Sequence, residues 1–350
     1  MSLTHRENWL RAVEFRYPEW IPCRIAFSPL TWHTYRRDLE KIVLEHPRIF
    51  PDYDPACANF YDEMPVVYRQ GEYYLDSWGC LWYNQQHGLE GQVVRHPLAD
   101  WAALETYQMP DPLVMAERGP WEWDKIVADI RKRRQQGLLV MGGAERLFDR
   151  LYFLRGFENL MVDFAEGRPE LERLIAMLEE HEMILVRRWL ELGVDVVAFH
   201  TDIGTQKGLM ISPQAFRRYL KPMFQRLFQT CRTAGVHVHL SSDGNILDIV
   251  DDLIECGVSV HDPQLRACTL EGIVGAYRGK LCAEVDLDRQ GFPFMTAQQI
   301  REQVRQVVDA MALPEGGLMV LAAVYGADVP LRNIAALCEA MEEYCFPESG

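Results

Sequence analysis

Hydrophobic side chains recur every three to four positions through the second half of the chain, and each such stretch ends at a glycine. The stretch that begins at Pro169 ends at Gly193, and the apolar run VDVVAFH follows it. This spacing predicts an amphipathic helix, and the unbroken apolar run predicts a strand covered on both faces. The same unit recurs around Gly235, Gly257 and Gly279. It therefore predicts parallel strands joined by crossover helices.

Seven apolar segments have the character of buried strands, and an eighth strand has no clear position. The seven are IPCRIAF, GLLVMGG, VDVVAFH, VHVHL, VSVH, KLCAEVD and GGLMVLAAV. We predict an α/β fold, a (β/α)8 TIM barrel. An open doubly wound sheet is the lesser alternative, because its usual G-x-G-x-x-G turn does not follow the first strand.

The region 28–135 does not show this alternation of helices and buried strands. Its segment EYYLDSWGCLWYNQQHGLEGQVVRHP predicts antiparallel hairpins between the first and second clear strands. We interpret 1–350 as a single barrel domain and 28–135 as an elaborated insertion. Nearer the start of the chain, Thr4 and Glu7 have the spacing of a helix capping box.

Composition narrows the class of protein. A net charge of −15 is unfavourable for binding duplex nucleic acid or an anionic membrane surface. The nine cysteines are scattered without a C-x-x-C pair, which is typical of reduced thiols. No signal-like or membrane-length apolar run is present in the sequence. We therefore expect a cytoplasmic protein with no nucleic-acid or membrane partner, and a small-molecule or macrocyclic ligand.

Polar residues follow four consecutive predicted strands, where a parallel barrel places its chemistry. They are His200 and Asp202, then His239, Ser241 and Asp243, then His261, then Glu284 and Asp286. Because side chains alternate along a strand, His200 and Asp202 share one face. We expect these groups to meet at a common rim. As alternatives, Asp243 is a helix N-cap and His261 shapes a turn before Pro263.

Aromatic residues form a second candidate group. Trp78 and Trp82 lie in the loop segment DSWGCLWYNQQHG, Phe148 lies in ERLFDRLYF, and Tyr325 follows the last strand. An apolar pocket with a few polar groups is the usual make-up of an organic-ligand site. Core packing is the alternative for most of these rings.

Several segments taken together resemble the uroporphyrinogen decarboxylase superfamily. They are DSWGCLW, HPLADWAALETYQMPDP, LRGFENLMVDF, HTDIGTQKGLMISPQAFRRYLKPMF, SSDGNILDIVDDLIECGV, VDLDRQGF and DVPLRNIAALCEAMEEY. The superfamily includes porphyrinogen decarboxylases and corrinoid-dependent methyltransferases of the methylcobamide:coenzyme M type. The resemblance spans about 3–345. It implies a (β/α)8 barrel enzyme with its active site at the strand carboxyl ends.

The chain departs from both branches at their ligand motifs. Where the thiol methyltransferases carry zinc ligands, this sequence has Ser241 and Asp243, and no cysteine near Ala323. Those residues do not supply the soft ligand set of a thiolate-activating zinc. If a divalent metal such as zinc is present, its ligands are expected to be His239, Asp243 and Glu284. The R-Q-A-G-R-Y motif of the decarboxylases, which holds substrate carboxylates, is replaced by FSPLTWHTYRRDL.

The resemblance implies three candidate functions. The leading hypothesis is methyl transfer involving a methylated corrinoid protein or a small methoxylated compound. The alternatives are a decarboxylase acting on a tetrapyrrole-like or smaller carboxylated substrate, and a non-catalytic corrinoid- or tetrapyrrole-binding protein. The cofactor and the oligomeric state stay open, with a corrinoid carried by a partner protein and a homodimer among the alternatives.

Site residues for these functions follow from the rim and the aromatic loop. The expected catalytic residues are Asp202, His239, Asp243 and His200. The expected substrate-binding residues are Asp76, Trp78, Trp82, Phe148, Ser241, His261, Glu284, Asp286 and Tyr325. In the decarboxylase alternative, Asp202 or Asp76 stabilises a protonated ring while a histidine delivers the proton.

Overall fold

The computed structural model describes residues 3–346. The strands in this range are β1 (Cys23–Phe27), β2 (Tyr73–Leu75), β3 (Leu81–Tyr83), β4 (Gln92–Arg95), β5 (Met115–Ala116), β6 (Gly119–Pro120), β7 (Met141–Arg146), β8 (Val196–His200), β9 (His237–Ser241), β10 (Val260–His261), β11 (Cys282–Asp286) and β12 (Leu318–Val324). The helices are α1 (His5–Val13), α2 (Pro29–Glu45), α3 (Trp123–Gln135), α4 (Leu147–Arg155), α5 (Phe157–Glu166), α6 (Pro169–Leu192), α7 (Pro213–Ala215), α8 (Lys221–Thr233), α9 (Val250–Cys256), α10 (Leu265–Cys268), α11 (Leu270–Tyr277), α12 (Ala297–Met311) and α13 (Leu331–Cys345). A π-helical turn, Phe216–Leu220, joins α7 to α8.

Helix ends follow the local signals in the sequence. The Thr4 hydroxyl accepts the N–H of Glu7 at 3.2 Å, and the Glu7 carboxylate accepts the N–H of Thr4 at 2.9 Å, so the predicted capping box is confirmed. Helix α6 ends at Gly193, whose φ of 69° lies in the left-handed region. Glycine adopts this conformation without a Cβ clash, which explains why the predicted helix ends there.

One compact unit consists of residues 3–72, 84–91 and 262–346. Its parallel strands are ordered β1, β12, β11, with Arg24 opposite Leu321 and Glu284 opposite Met319. Every residue of β11 and β12 is buried, as expected for strands covered on both faces.

The other compact unit consists of residues 73–83 and 92–261. Its parallel strands are ordered β10, β9, β8, β7, with Val260 opposite His239 and His200 opposite Ser241. Strands β2, β3 and β4 form an antiparallel sheet, and β5 pairs with β6. These small sheets lie between the first and second parallel strands along the chain, as predicted.

The fold class is confirmed as α/β of the TIM-barrel type. Residues 3–346 contain seven parallel strands, and they fall in the seven segments predicted from apolar patterning. The structure divides into two compact units. The assignment of 1–350 to a single domain, with 28–135 as its insertion, stays a prediction. None of the helices within 3–346 is long and apolar enough to cross a membrane.

Candidate functional site

The carboxyl ends of β8 and β9 bring predicted catalytic residues close together. The exposed His200 ends β8, and the half-buried Asp202 follows it. Asp202 Oδ1 accepts the backbone N–H of Asp243 at 2.9 Å. The backbone N–H of Asp202 in turn donates to Asp149 Oδ2 at 2.8 Å. Asp202 is therefore held by its side chain and by its backbone, which suits a group that must keep one orientation.

Asp149 is a buried carboxylate that sequence reasoning missed. It lies in the first turn of α4, and its Oδ1 accepts the hydroxyl of Tyr152 at 2.7 Å. Burial raises the pKa of Tyr152, and the neighbouring Asp149 adds to the shift, so the hydroxyl stays a donor. The only sequence signal was an aspartate among apolar positions in ERLFDRLYF. Asp149 holds Asp202 through the backbone and is a positioning residue.

Two glycines allow the loops after β8 and β9 to meet. Gly244 has a φ of 86°, and a Cβ there would lie 2.4 Å from the carbonyl carbon of Gly204. Side-chain atoms do not fit at that distance. The backbone N–H of Asn245 donates to the carbonyl of Thr205 at 2.7 Å, which joins the two loops. This close approach brings Asp202 next to the backbone of Asp243.

The histidines of β9 and β10 lie in the interior of their unit. His239 and His261 are both buried, and Val260 is the residue opposite His239. Burial lowers the pKa of His261 to about 3, with a smaller contribution from His239. His261 is therefore neutral at physiological pH. The roles assigned to His239, His261 and Ser241 stay predictions.

We expect His261 to make the protein less stable in acid. Its folded pKa of about 3 lies below the ordinary value of 6.5, so its contribution is complete above pH 6.5 and is lost as pH falls. The loss is about 1.4 kcal/mol per pH unit below 6.5, or about 2 kcal/mol between pH 7 and pH 5. Urea unfolding of His261→Gln across this range is expected to show a flatter pH dependence by that amount.

The exposed His200 provides the control for this measurement. His200→Gln makes the same substitution at an exposed histidine, and we expect its free energy of unfolding at pH 7 to stay within about 0.5 kcal/mol of the parent's. Identical curves for His261→Gln and the parent would contradict the prediction.

Three residues predicted to bind substrate lie in a buried hydrogen-bonded cluster. Asp76 Oδ1 accepts the backbone N–H of Trp78 at 3.0 Å and that of Cys80 at 2.8 Å. Its Oδ2 accepts the indole N–H of Trp82 at 2.9 Å. Trp78 and Trp82 are 2% and 1% exposed, and Phe148 is fully buried. The substrate-binding roles of these residues stay predictions, and their observed contacts are with the protein.

The centre of this cluster is Arg150, which sequence reasoning also missed. Its guanidinium is fully buried and lies 3.2 Å from Asp76, 2.7 Å from Glu117 and 2.9 Å from Glu145. It also lies over the ring of Trp78, 4.6 Å from the ring centroid. We call Arg150 with these three carboxylates the Arg150 cluster.

The pKa values of two of these carboxylates shift in opposite directions. Burial raises the pKa of Glu117 above its usual range despite two nearby arginines. Burial also acts to raise the pKa of Glu145, but Arg150, His181 and Trp78 together outweigh it, so the pKa of that carboxyl is lowered. The Arg150 charge is thus the main favourable partner of the carboxylates around it.

The other compact unit holds the remaining predicted residues. Glu284 and Asp286 are buried on β11, and Tyr325 follows β12 and is 46% exposed. Glu284 accepts two hydrogen bonds from Arg24, from Nε at 2.6 Å and from Nη2 at 2.8 Å. Arg24 was not predicted, although an arginine inside the apolar segment IPCRIAF was a visible signal.

A second arginine lies beside Asp286 and Tyr325. Arg289 Nη1 is 3.4 Å from Asp286 Oδ2, and its guanidinium lies 5.3 Å from the centroid of the Tyr325 ring. Carboxylates and guanidinium groups are therefore paired on and after the strands of this unit.

The predicted metal ligands do not form a ligand set in the described part of the chain. Within 3–346 no three His, Cys, Asp or Glu side chains are placed to hold an ion. Both carboxylate oxygens of Glu284, one of the conditional ligands, accept hydrogen bonds from Arg24. The residues do not fit the soft zinc site of the thiol methyltransferases, so no chemical step is assigned to a metal.

Comparison with known proteins identifies the family. The model of the uroporphyrinogen decarboxylase (URO-D) family matches residues 83–344, and the chain belongs to this family. Two uroporphyrinogen decarboxylases from strains of Thermus thermophilus are 27% and 26% identical over 274 residues, covering 73% of this chain and 72% of each relative. The resemblance read from the sequence is confirmed.

A solved structure is similar over nearly the whole chain. A methyltransferase from Methanosarcina mazei has a TM-score of 0.62 and 17% identity, and the match covers 98% of this chain and 99% of that one. At this identity the likeness shows the fold. The chain therefore belongs to the URO-D family and shares the fold of this methyltransferase.

Proposed function

We propose that this protein is an enzyme that transfers a methyl group, with a methylated corrinoid protein or a small methoxylated compound as the donor. The observation that supports this reaction over decarboxylation of uroporphyrinogen is that arginines on and after the parallel strands of one unit are paired with carboxylates. Arg24, Arg266 and Arg289 lie 2.6, 3.1 and 3.4 Å from their carboxylate partners. These partners are Glu284, Asp288 and Asp286.

This pairing bears on the charge of the substrate. A porphyrinogen with many carboxylates needs guanidinium groups whose charge is available to it. Here that charge is already offset by protein carboxylates, and the chain carries a net charge of −15. Repulsion therefore disfavours a polyanion and leaves neutral or weakly charged substrates as the better match.

The strand ends of the other unit suit the proton transfer that methyl transfer requires. A thiol or phenol acceptor releases a proton as it gains the methyl group. A methoxylated donor that has passed its methyl group to the acceptor leaves an oxyanion, which takes up a proton. Asp202 is half-buried and oriented by Asp149, with the exposed His200 two residues earlier. We assign to Asp202 the role of the group that takes or gives this proton.

Decarboxylation of a smaller carboxylated substrate is the second candidate. Its support is the half-exposed guanidinium of Arg24, together with the named activity of the Thermus thermophilus relatives. A single carboxylate needs fewer compensating charges than a tetrapyrrole does.

An assay with two arms separates the candidates. In the first arm, the purified full chain is mixed with methylcobalamin and a panel of thiol and phenol acceptors. We expect catalysed loss of the methylcobalamin absorbance and a methylated product by mass spectrometry. In the second arm, the protein is mixed with uroporphyrinogen or small aromatic carboxylates, and we expect no carbon dioxide above background.

Two results of this assay would overturn the proposed methyl transfer. Release of carbon dioxide without any methyl transfer overturns the proposal in favour of decarboxylation. Binding of cobalamin or porphyrin without turnover in either arm overturns it in favour of a non-catalytic binding protein.

A further inference from the structure

Arg24 is the second residue of β1 and carries a charge between two apolar neighbours. Its neighbour Cys23 lies against the Cys345 thiol of α13, and Ile25 is buried. Because side chains alternate along a strand, Arg24 points to the face of β1 opposite α13. Its side chain is 49% exposed there. Because the Arg24 side chain reaches solvent on this face of β1, the face is open to a ligand.

One edge of the Arg24 guanidinium is occupied and another is open. Nε and Nη2 donate to the two oxygens of Glu284, and the pair spans β12, which lies between β1 and β11. Within residues 3–346, Nη1 donates no hydrogen bond. Guanidinium carries five N–H donors in a rigid plane, so the edge formed by Nη1 and Nη2 retains donors for a ligand.

The surroundings decide which ligand this edge prefers. Glu284 offsets the charge of Arg24, and Asp262 and Tyr325 lie close enough to interact with it electrostatically. Glu284 and Asp262 are both buried, so solvent screens them weakly. An incoming carboxylate would meet net negative charge, whereas a neutral oxygen would accept the same hydrogen bonds without repulsion.

We propose that the open edge of Arg24 binds a neutral carbonyl or ether oxygen of the substrate. The inference rests on the proposed methyl transfer and narrows its small-molecule substrate to neutral methoxylated aromatic compounds. Tyr325, which follows β12 and is 46% exposed, lies close enough to Arg24 to interact with it electrostatically, and it supplies an aromatic ring near this edge. Offset stacking on such a ring favours an aromatic ligand.

Isothermal titration of the full chain with a matched pair of probes tests this. 4-Methoxybenzamide and 4-methoxybenzoate have nearly the same shape and differ in charge. We expect the amide to bind at least tenfold more tightly. Arg24→Lys keeps the charge but loses the planar edge, and it is expected to weaken amide binding about tenfold.

Glu284→Gln tests the charge argument separately. It removes the carboxylate that offsets Arg24 and retains one acceptor, so we expect the preference to shift at least tenfold toward the benzoate. Arg305→Lys is the control, because Arg305 pairs with Glu302 and Asp309 on the exposed surface of α12. It is expected to leave both affinities unchanged.

Three results would overturn the inference. They are equal or tighter binding of the benzoate by the parent, unchanged amide affinity in Arg24→Lys, and no binding of either probe. Circular dichroism of each variant verifies that it is folded. Because binding is measured without turnover, failure here is distinct from failure of the methyl-transfer assay.

Discussion

Replacing Arg150 with methionine is expected to lower the free energy of unfolding by about 3–5 kcal/mol. The substitution preserves much of the side-chain volume but removes the guanidinium that, among residues 3–346, contacts Asp76, Glu117 and Glu145 together. Three carboxylates with little solvent contact then lose their shared partner. A buried charge without a partner costs more than the ion pair contributed, because desolvation is no longer offset. Urea denaturation followed by circular dichroism measures the change.

An exposed arginine–carboxylate pair provides the control, because it tests whether the effect of Arg150→Met depends on burial. Arg301 lies 2.6 Å from Glu343, and both side chains are at least one-third exposed. Arg301→Met is expected to cost less than about 1 kcal/mol, because exposed ion pairs contribute little. If Arg150→Met does not fold, Arg150→Lys is measured instead, with a loss of at least about 1 kcal/mol expected because lysine lacks the planar fork. Losses as small as that of Arg301→Met would show that the Arg150 cluster is not a stability determinant.

The position of the Arg150 cluster explains the size of this effect. Asp76 follows β2, Glu117 lies in the turn between β5 and β6, and Glu145 is in β7. Arg150 on α4 therefore connects the antiparallel segments of its unit to a parallel strand. We expect its loss to destabilise these segments together, because groups in one network do not act independently.

Asp202→Asn is expected to reduce methyl transfer by about 100-fold or more, with a change in unfolding free energy below about 1 kcal/mol. The amide keeps an oxygen that accepts the N–H of Asp243, so the local structure is maintained. It cannot take up a proton at neutral pH, so the proposed proton transfer is lost. Turnover with methylcobalamin as donor and the pH profile of kcat measure the effect.

The same strand offers a control at its other end. Asp195 immediately precedes β8, and its Oδ2 accepts the N–H of Val140 at 3.0 Å. Asp195→Asn is expected to leave turnover within about twofold, because the amino ends of barrel strands lie away from the chemistry. If Asp202→Asn unfolds readily while ligand binding persists, Asp202 has a structural role instead.

Much of the fold was predictable because its determinants are local. The periodicity of apolar residues predicted a helix from Pro169 to Gly193, and α6 spans Pro169–Leu192. Helix stops at glycine and the Thr4 capping box depend on residues a few positions apart. Such signals act through backbone conformation and short-range hydrogen bonds, so they are visible in the sequence itself.

The candidate site was predictable only in outline. The sequence predicted that Asp202 and Asp243 lie near each other, because both follow parallel strands whose carboxyl ends meet at one edge. The link between them depends on Gly204 and Gly244, whose loops meet closely. The sequence did not predict roles for Asp149 and Arg24. Each contacts a partner far along the chain, and that contact is not visible in the sequence.

The sequence by itself determined the alternation of helices and buried strands, the family and the strand ends where polar groups gather. Only the tertiary structure decided which of those groups are neighbours and which charges are offset. Arg24 and Glu284 are separated by 260 positions, yet their guanidinium and carboxylate form two hydrogen bonds. The physical reason is that secondary structure follows local conformational preference, whereas solvation and charge pairing depend on contacts that exist only after the chain has folded.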